Sequence, residues 1–137
     1  MTGVLRIQAG PVSQTATLDD SPTARAIWEA LPIEAAAETW GDELYFAIPV
    51  SLAEDGARAA VERGDVAYWP PGRAFCVFFG RTPASRGDEI RPASPVNVFG
   101  RLDGDPAEFR RVRPGMPVRL ERGESTGAAA RQGRAAG

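Results

Sequence analysis

The chain has 137 residues, enough for one domain that buries a sizeable core without disulfides. Its sixteen basic residues are all arginine, and with 18 acidic residues they leave a net charge of −2, which favours neither nucleic acid nor an anionic membrane as partner. Histidine and lysine are absent and Cys76 is the single cysteine, so the sequence excludes imidazole catalysis, Schiff-base chemistry, an intramolecular disulfide and Cys-x-x-Cys sites.

The beginning of the chain and its hydropathy bear on location. Residues 1–4 lead into a strand pattern rather than a signal peptide, and the uncharged apolar runs are far shorter than a membrane span. A single cysteine suits a reducing compartment. We therefore expect a cytoplasmic protein without membrane or nucleic-acid partners. No calcium-loop spacing is present, and we predict no metal and no cofactor.

The first third of the chain predicts a hairpin and a helix. Residues 4–7 and 12–18 predict two paired strands, because the second run alternates between apolar and polar side chains. A helix is predicted over residues 22–31, where Ser21 suits the N-cap, Pro22 suits the first helical position and Pro32 ends the helix. Its apolar face predicts packing over a barrel opening and consists of Ala24, Ile27, Trp28 and Leu31.

The next segment carries a weaker pattern. Residues 33–39 have helical propensity but follow a proline, and we interpret them as a strand. Residues 44–50 predict a clearer strand. Residues 52–63 are polar and predict a helical turn over 57–62.

Residues 64–80 predict the centre of the fold, because they hold three of the six phenylalanines and the only cysteine. Two strands are predicted at 66–69 and 74–79, joined through a loop in which Pro71 and Gly72 suit the central positions of a type II turn. The second strand is apolar on both faces. We expect it to be covered twice, by a barrel interior on one side and by a helix or loop on the other.

The last third of the chain predicts a long loop, a strand, a short helix and a closing strand. Residues 81–95 predict a long loop, and loops of this length are usually functional or mobile. A strand at 96–102 is followed by a short helix whose Asp105 and Glu108 suit a capping box. Residues 117–121 predict the closing strand.

These elements predict a mainly β fold: a closed eight-stranded antiparallel β-barrel capped by two short α-helices. We assign residues 1–122 to this barrel domain. Residues 123–137 are rich in glycine and alanine and predict a disordered tail.

The order of the pieces resembles the cyclophilin fold. More closely, residues 4–121 are similar to a group of small prokaryotic cyclophilin-like proteins of uncharacterised function, through motifs at residues 21–24, 39–46, 67–76 and 92–98. The resemblance implies the barrel. Isomerase activity in cyclophilins is associated with an arginine and a Phe-x-Met-Gln stretch on adjoining strands, and residues 44–50 contain neither arginine nor glutamine, so the resemblance does not imply prolyl isomerisation.

Two sets of side chains are candidates for a binding groove. The first combines aromatic side chains with an arginine that would fix an anionic or carbonyl group: Trp40, Tyr45, Tyr68, Trp69, Arg73 and Phe75. The alternative for each aromatic is a place in the core. The second set, on the long loop, is able to bind a carboxylate or phosphate: Arg81, Ser85, Arg86 and Ser94, with Thr82 and Arg91. Its alternative is a solvated loop whose arginines pair with Asp88 and Glu89.

Other residues are predicted to be structural. Cys76 has no histidine partner and predicts a buried, inert thiol. Asp42 and Glu43 are adjacent, and neighbouring side chains of a strand point to opposite faces, so they predict solvated turn charges rather than a catalytic pair.

The leading hypothesis is a barrel that binds a small molecule or a short peptide in the groove. Peptidyl-prolyl isomerase activity is one alternative, and a non-catalytic partner subunit is the other. The sequence leaves open the ligand, the oligomeric state and whether the protein is an enzyme.

Overall fold

The computed structural model describes residues 3–123, and the predicted tail therefore lies outside the described residues except for Gly123. The strands are β1 (Val4–Ala9), β2 (Val12–Leu18), β3 (Ile33–Ala36), β4 (Glu38–Thr39), β5 (Glu43–Ala47), β6 (Asp65–Trp69), β7 (Ala74–Phe78), β8 (Asn97–Leu102) and β9 (Pro117–Arg122). Helix α1 spans Pro22–Ala30, and short 3₁₀ helices span Pro70–Gly72 and Pro106–Arg111.

The strands form one antiparallel sheet in the order β3-β9-β1-β2-β8-β6-β7-β5-β4. Its two end strands, β3 and β4, are consecutive in the chain and separated only by Ala37, so the sheet curls until its ends meet. The result is a nearly closed barrel of mainly β structure, which confirms the predicted fold class. The β6–β8 pairing carries an irregularity between Val66 and Ala67, of the kind that increases local curvature.

The barrel interior is filled by side chains from the inward face of the strands. Phe75 lies at its centre, stacked on Phe46 at 5.2 Å between ring centroids and edge-on to Phe99 at 5.8 Å. Helix α1 inserts Ala24 and Ile27 into this cluster, and the 3₁₀ helix Pro106–Arg111 inserts Phe109. The helix start is as predicted, since the Ser21 hydroxyl accepts a hydrogen bond from the Ala24 N–H at 3.1 Å.

A second apolar cluster lies outside the barrel. It joins the outward side chains of β6 and β7 to the loops at 48–63 and 79–96: Val61, Ala67, Ala74, Cys76, Phe78, Ile90 and Val96. Two isolated bridges, Arg58 to Val96 and Val61 to Ile90, hold these loops together. The prediction that the second central strand is covered on both faces is therefore confirmed.

Four details differ from the predictions. The barrel has nine strands rather than eight, because residues 33–39 form two short strands around Ala37. The second helix is a six-residue 3₁₀ helix rather than an α-helix. Its Asp105 caps the Ala107 N–H as predicted, but Glu108 accepts a hydrogen bond from Gln14 instead of completing the capping box.

The third and fourth differences concern loops. Residues 57–62 contain no helical turn, and two of them, Arg58 and Val61, form isolated β-bridges. The loop between β6 and β7 is a 3₁₀ turn rather than a type II turn, and the positive φ falls on Arg73, at 49°, instead of Gly72. Gly72 is required for a different reason, because a Cβ there would lie 2.6 Å from Cζ3 of Trp69.

Within residues 3–123, no helix combines the length and the apolar character needed to cross a membrane. The cytoplasmic location stays a prediction.

Candidate functional site

A pocket of about 260 Å³ opens on the outer face of the barrel, beside the second apolar cluster. Three aromatic side chains, one carboxyl group and two small apolar residues of the long loop line it: Trp40, Tyr45, Trp69, Glu43, Pro92 and Ala93. The pocket therefore has a largely apolar wall and one ionisable group.

Strand alternation places the carboxyl group and the tyrosine in this pocket. Leu44 and Phe46 of β5 are buried in the barrel interior, at 0% and 2% exposure, so Glu43 and Tyr45 face outward. The β5–β7 register sets Glu43 opposite Phe78 and Tyr45 opposite Cys76. The Glu43 and Cys76 side chains are consequently diagonal neighbours on the outer face.

Trp40 enters the pocket from the tight turn that precedes β5. The Trp40 N–H donates to the Glu43 carbonyl at 2.9 Å, and the Asp42 N–H donates to the Arg81 carbonyl at 2.8 Å. Gly41 has a φ of 61° and lies against Arg81 and Pro83, so the turn packs directly on the start of the long loop.

Trp69 forms another wall at the end of β6. Its indole Nε1–H donates to the Ser94 hydroxyl at 2.7 Å, and its ring packs over Gly72. Ser94 adjoins the lining residues Pro92 and Ala93, so this hydrogen bond ties the loop wall to the strand wall.

The long loop is ordered by two hydroxyl groups. The Ser85 Oγ accepts hydrogen bonds from the Thr82 N–H at 3.0 Å and the Arg91 N–H at 3.1 Å. The Thr82 hydroxyl in turn donates to the Arg91 carbonyl. Pro92, next to Arg91, is thereby fixed as part of the pocket wall.

Glu43 is the most unusual residue of the pocket. It is only 7% exposed, and burial raises the pKa of its carboxyl group from 4.5 to about 7, although the neighbouring Cys76 thiol lowers the pKa in part. Burial, followed by the charge and hydrogen bond of Glu43, also raises the pKa of the Cys76 thiol. The prediction that Glu43 is a solvated turn charge is wrong. Glu43 is the first residue of strand β5, and its side chain is buried beside Pro92 and Ala93 of the long loop.

The chemistry open to this arrangement follows from these groups. A carboxyl group with a pKa near neutrality accepts hydrogen bonds when ionised and donates one when protonated. The aromatic faces favour apolar or cationic groups. Among the described residues, no group of three or more His, Cys, Asp or Glu side chains is arranged to hold a metal ion.

The structure brings together four of the ten predicted site residues. Trp40, Tyr45 and Trp69 line the pocket, and Ser94 supports Trp69 from the loop. Pro92 and Ala93 show that the long loop borders the pocket, although the polar residues expected to do so are not among its lining residues.

The other six predicted residues lie elsewhere. Tyr68 and Phe75 are both fully buried in the barrel interior, where the Tyr68 hydroxyl donates to the Val50 carbonyl at 2.7 Å and accepts from the Leu52 N–H at 3.1 Å. Three arginines are exposed and outside the lining: Arg73, Arg81 and Arg86. Ser85 acts within the loop as described above. The ten residues therefore do not form one continuous groove.

Sequence reasoning missed Glu43, Pro92 and Ala93. The register of β5 is the signal that identifies Glu43, because residues 44 and 46 are the two most apolar positions of the strand and force residue 43 to the opposite face. The contribution of Pro92 and Ala93 depends on how the loop folds back, which local sequence does not encode.

The fold and this pocket define a small antiparallel barrel whose candidate site lies on its outside. Comparison with known proteins identifies the family: the model described as Cyclophilin-like matches residues 4–121, and the chain belongs to this cyclophilin-like family. The chain is also similar to the solution structure of a hypothetical protein from Archaeoglobus fulgidus, with which it shares 43% sequence identity and a TM-score of 0.75. The match covers 88% of this chain and 95% of that chain. No curated protein matches the chain.

Proposed function

We propose that the protein binds a small molecule, or one side chain of a short peptide, in the pocket lined by Trp40, Tyr45 and Trp69. The observation that carries this proposal is the convergence of three aromatic side chains on one buried carboxyl group in a concave site. Mostly apolar walls with a few well-placed polar groups are the usual composition of a ligand site.

The pocket volume limits the size of the ligand. About 260 Å³ is slightly below the range of roughly 300–1,000 Å³ that is typical for drug-sized ligands. A fragment-sized molecule or a single side chain fits such a volume, whereas a folded partner would have to insert one projecting residue.

The loop arginines give less support to an anion site. Arg91 donates from Nε to the Glu89 carboxylate at 3.0 Å, as expected for a solvated loop that neutralises its own charge. The lining of the pocket contains no arginine among the described residues. The site that the geometry supports is therefore acidic and aromatic rather than basic.

The three tryptophans provide the test. In a ¹⁵N-labelled protein each indole N–H gives one resonance. Trp28 of helix α1 lies outside this pocket, with the Arg122 guanidinium of β9 over its ring, and its resonance serves as an internal reference. We would titrate benzamidine, benzyl alcohol, benzoate and free imidazole. We expect at least one probe to shift the Trp40 and Trp69 resonances saturably and to leave Trp28 in place.

Two variants assign the response. Trp40→Ala removes one wall of the pocket and should weaken binding of the active probe, whereas Trp28→Phe should leave it unchanged. The proposal fails if no probe of any charge gives a saturable shift at Trp40 or Trp69, or if binding persists unchanged in Trp40→Ala.

A further inference from the structure

The Glu43 carboxyl group has no cationic or backbone partner among the described residues. Its neighbour on the outer face is the weakly polar Cys76 thiol, whose Sγ lies 3.9 Å from the Ala74 carbonyl that it donates to. Asp65, the other buried acid, is 2% exposed but pairs with the Arg101 guanidinium at 2.7 Å and accepts the Glu62 N–H at 2.9 Å. A buried carboxyl group without such partners costs stability, so its presence calls for an explanation.

The surroundings of Glu43 indicate what completes it. The carboxyl group lines the pocket together with three aromatic side chains, and an aromatic face that a ligand contacts carries the negative part of the ring quadrupole. Both features attract positive charge, and both repel an anion that enters the same space. Nothing in the described lining supplies a compensating cation, so a cation that pairs with the ionised carboxylate has to come from the ligand.

The shape of the pocket sets the orientation of such a ligand. Its walls are apolar on the sides formed by Trp40, Trp69 and Pro92, and Glu43 supplies the hydrogen-bond acceptors. A ligand therefore satisfies the site by presenting a cationic N–H group to Glu43 while its apolar stem contacts the rings. Amidinium and guanidinium groups bind a carboxylate through two parallel hydrogen bonds.

We propose that the pocket selects ligands that carry a cationic N–H group, an ammonium, amidinium or guanidinium, which pairs with the Glu43 carboxylate between the faces of Trp40, Tyr45 and Trp69. This inference rests on the proposed function and names its ligand class. The same chemistry occurs in a free amine or guanidine metabolite and in a lysine or arginine side chain of a peptide.

The pH dependence of binding follows from the ionisation of Glu43. Two titratable side chains lie beside the Glu43 carboxyl group: the Cys76 thiol from β7 and the Tyr45 phenol from its own strand. The side chains that β6 and the long loop contribute to the pocket, Trp69, Pro92 and Ala93, do not titrate. Cation binding requires the ionised carboxylate, and burial holds the carboxyl pKa at about 7 in the free protein. Affinity should therefore rise as the pH increases towards 7 and level off above it.

The test compares probes of one shape and different charge at pH 8 by the indole titration. Benzamidine is the cation, benzamide its neutral isostere and benzoate the anion. We expect benzamidine to bind at least tenfold more tightly than benzamide, and benzoate not to bind. Glu43→Gln should weaken benzamidine by about 10- to 100-fold, as expected for a lost charge-assisted hydrogen bond, and should leave benzamide within about threefold. Glu29→Gln, at an exposed acid on helix α1 outside the pocket lining, is the matched control and should change neither.

The outcomes separate this inference from the proposed function. If benzamide binds at Trp40 and Trp69 as tightly as benzamidine, or if Glu43→Gln retains full benzamidine affinity, the cation inference is overturned while ligand binding in the pocket stands. If neither binds at Trp40 or Trp69, both fail.

Two further probes distinguish the sources of the cation. Agmatine represents a free guanidine metabolite, and the peptide acetyl-Gly-Arg-Gly-amide, with its citrulline analogue as neutral control, represents a peptide side chain. Tighter binding of the arginine peptide than of agmatine assigns a peptide partner, and the reverse order assigns a metabolite; either result supports the cation. Equal binding of the arginine and citrulline peptides counts against it.

Discussion

Glu43 combines a place in the lining of the candidate pocket with a cost to folding. Its carboxyl group has an ordinary pKa of 4.5 when exposed and a pKa of about 7 in the folded protein, because burial disfavours the charged form. Below pH 4.5 both states are protonated, and burial of a charge costs nothing. Between pH 4.5 and 7 the Glu43 carboxyl group is ionised in the unfolded chain but still protonated in the folded protein. The free energy of unfolding therefore decreases as the pH rises through this range, and above pH 7 the decrease is complete and constant.

We therefore predict that Glu43→Gln stabilises the protein in a pH-dependent way. The difference between the two pKa values corresponds to about 3 kcal/mol. The free energy of unfolding of the variant, relative to the unchanged protein, should increase by up to about that amount between pH 4 and pH 8. Urea unfolding followed by circular dichroism at several pH values measures it.

The same experiment on Asp65→Asn gives a contrast. Asp65 is buried beside Arg101, so its replacement removes a paired charge and should be destabilising at neutral pH. A Glu43→Gln difference that stays constant from pH 4 to pH 8 would contradict the assigned ionisation of Glu43.

Neighbouring residues also show where sequence reasoning reaches its limit. Tyr68 and Trp69 are adjacent and equally aromatic, yet Tyr68 lies in the barrel interior and Trp69 lines the pocket. Both faces of the central strands are apolar, so the sequence predicts that each is covered but not which one faces the interior. That choice depends on pairings with strands distant in the chain.

At the scale of the element, the long loop matters because it acts as a wall rather than as a flexible connection. Ser85 and Thr82 satisfy the backbone groups around Arg91, and Ile90 is bridged to Val61. Its length and composition predict a functional or mobile loop, and Pro92 and Ala93 place it beside the pocket, whereas its exposed arginines are not among the lining residues.

We predict that Ser85→Ala loosens this loop. The substitution leaves the part-buried N–H groups of Thr82 and Arg91 without their acceptor; a fully buried unpaired group costs about 1–3 kcal/mol, and we expect a cost at the lower end of that range. Hydrogen exchange of peptides covering residues 81–95 should accelerate about tenfold or more, and benzamidine affinity should decrease because Pro92 and Ala93 lose their fixed position. Ser51→Ala, at an exposed serine of a different loop, should change neither; unchanged exchange in Ser85→Ala would refute the anchoring role.

The positions of the elements that carry a capping residue or an apolar pattern in their own sequence are predicted correctly. Helix α1 begins at the expected proline behind a serine cap, and β7 has the expected apolar faces. The capping signal predicts an α-helix at Pro106–Arg111 because this signal is common to α and 3₁₀ helices. In the 3₁₀ helix that is found, Gln14 of β2 donates to both the Asp105 carbonyl and Glu108, contacts from a distant strand that the local signal does not contain.

At the scale of the molecule, membership of the cyclophilin-like family establishes the barrel without establishing isomerase activity. The described lining of the pocket has no arginine, and β5 carries Glu43 and Tyr45 on its outer face. We predict that the protein does not accelerate cis–trans exchange in an Ala-Pro peptide. Exchange NMR at low protein concentration tests this, with an active cyclophilin as positive control, and catalysed exchange peaks would reverse the conclusion.

The position of β9 has a consequence for how the chain reaches this structure. β9 pairs with β1 on one side and with β3 on the other, so residues 117–122 link two segments that are made more than eighty residues earlier. During synthesis the hairpin of β1 and β2 can form early, but β3 has no neighbour to pair with until β9 has left the ribosome. The barrel therefore cannot close before residues 117–122 have been made, and nascent chains that stop short of residue 117 expose the unpaired edges of β1 and β3 to other chains.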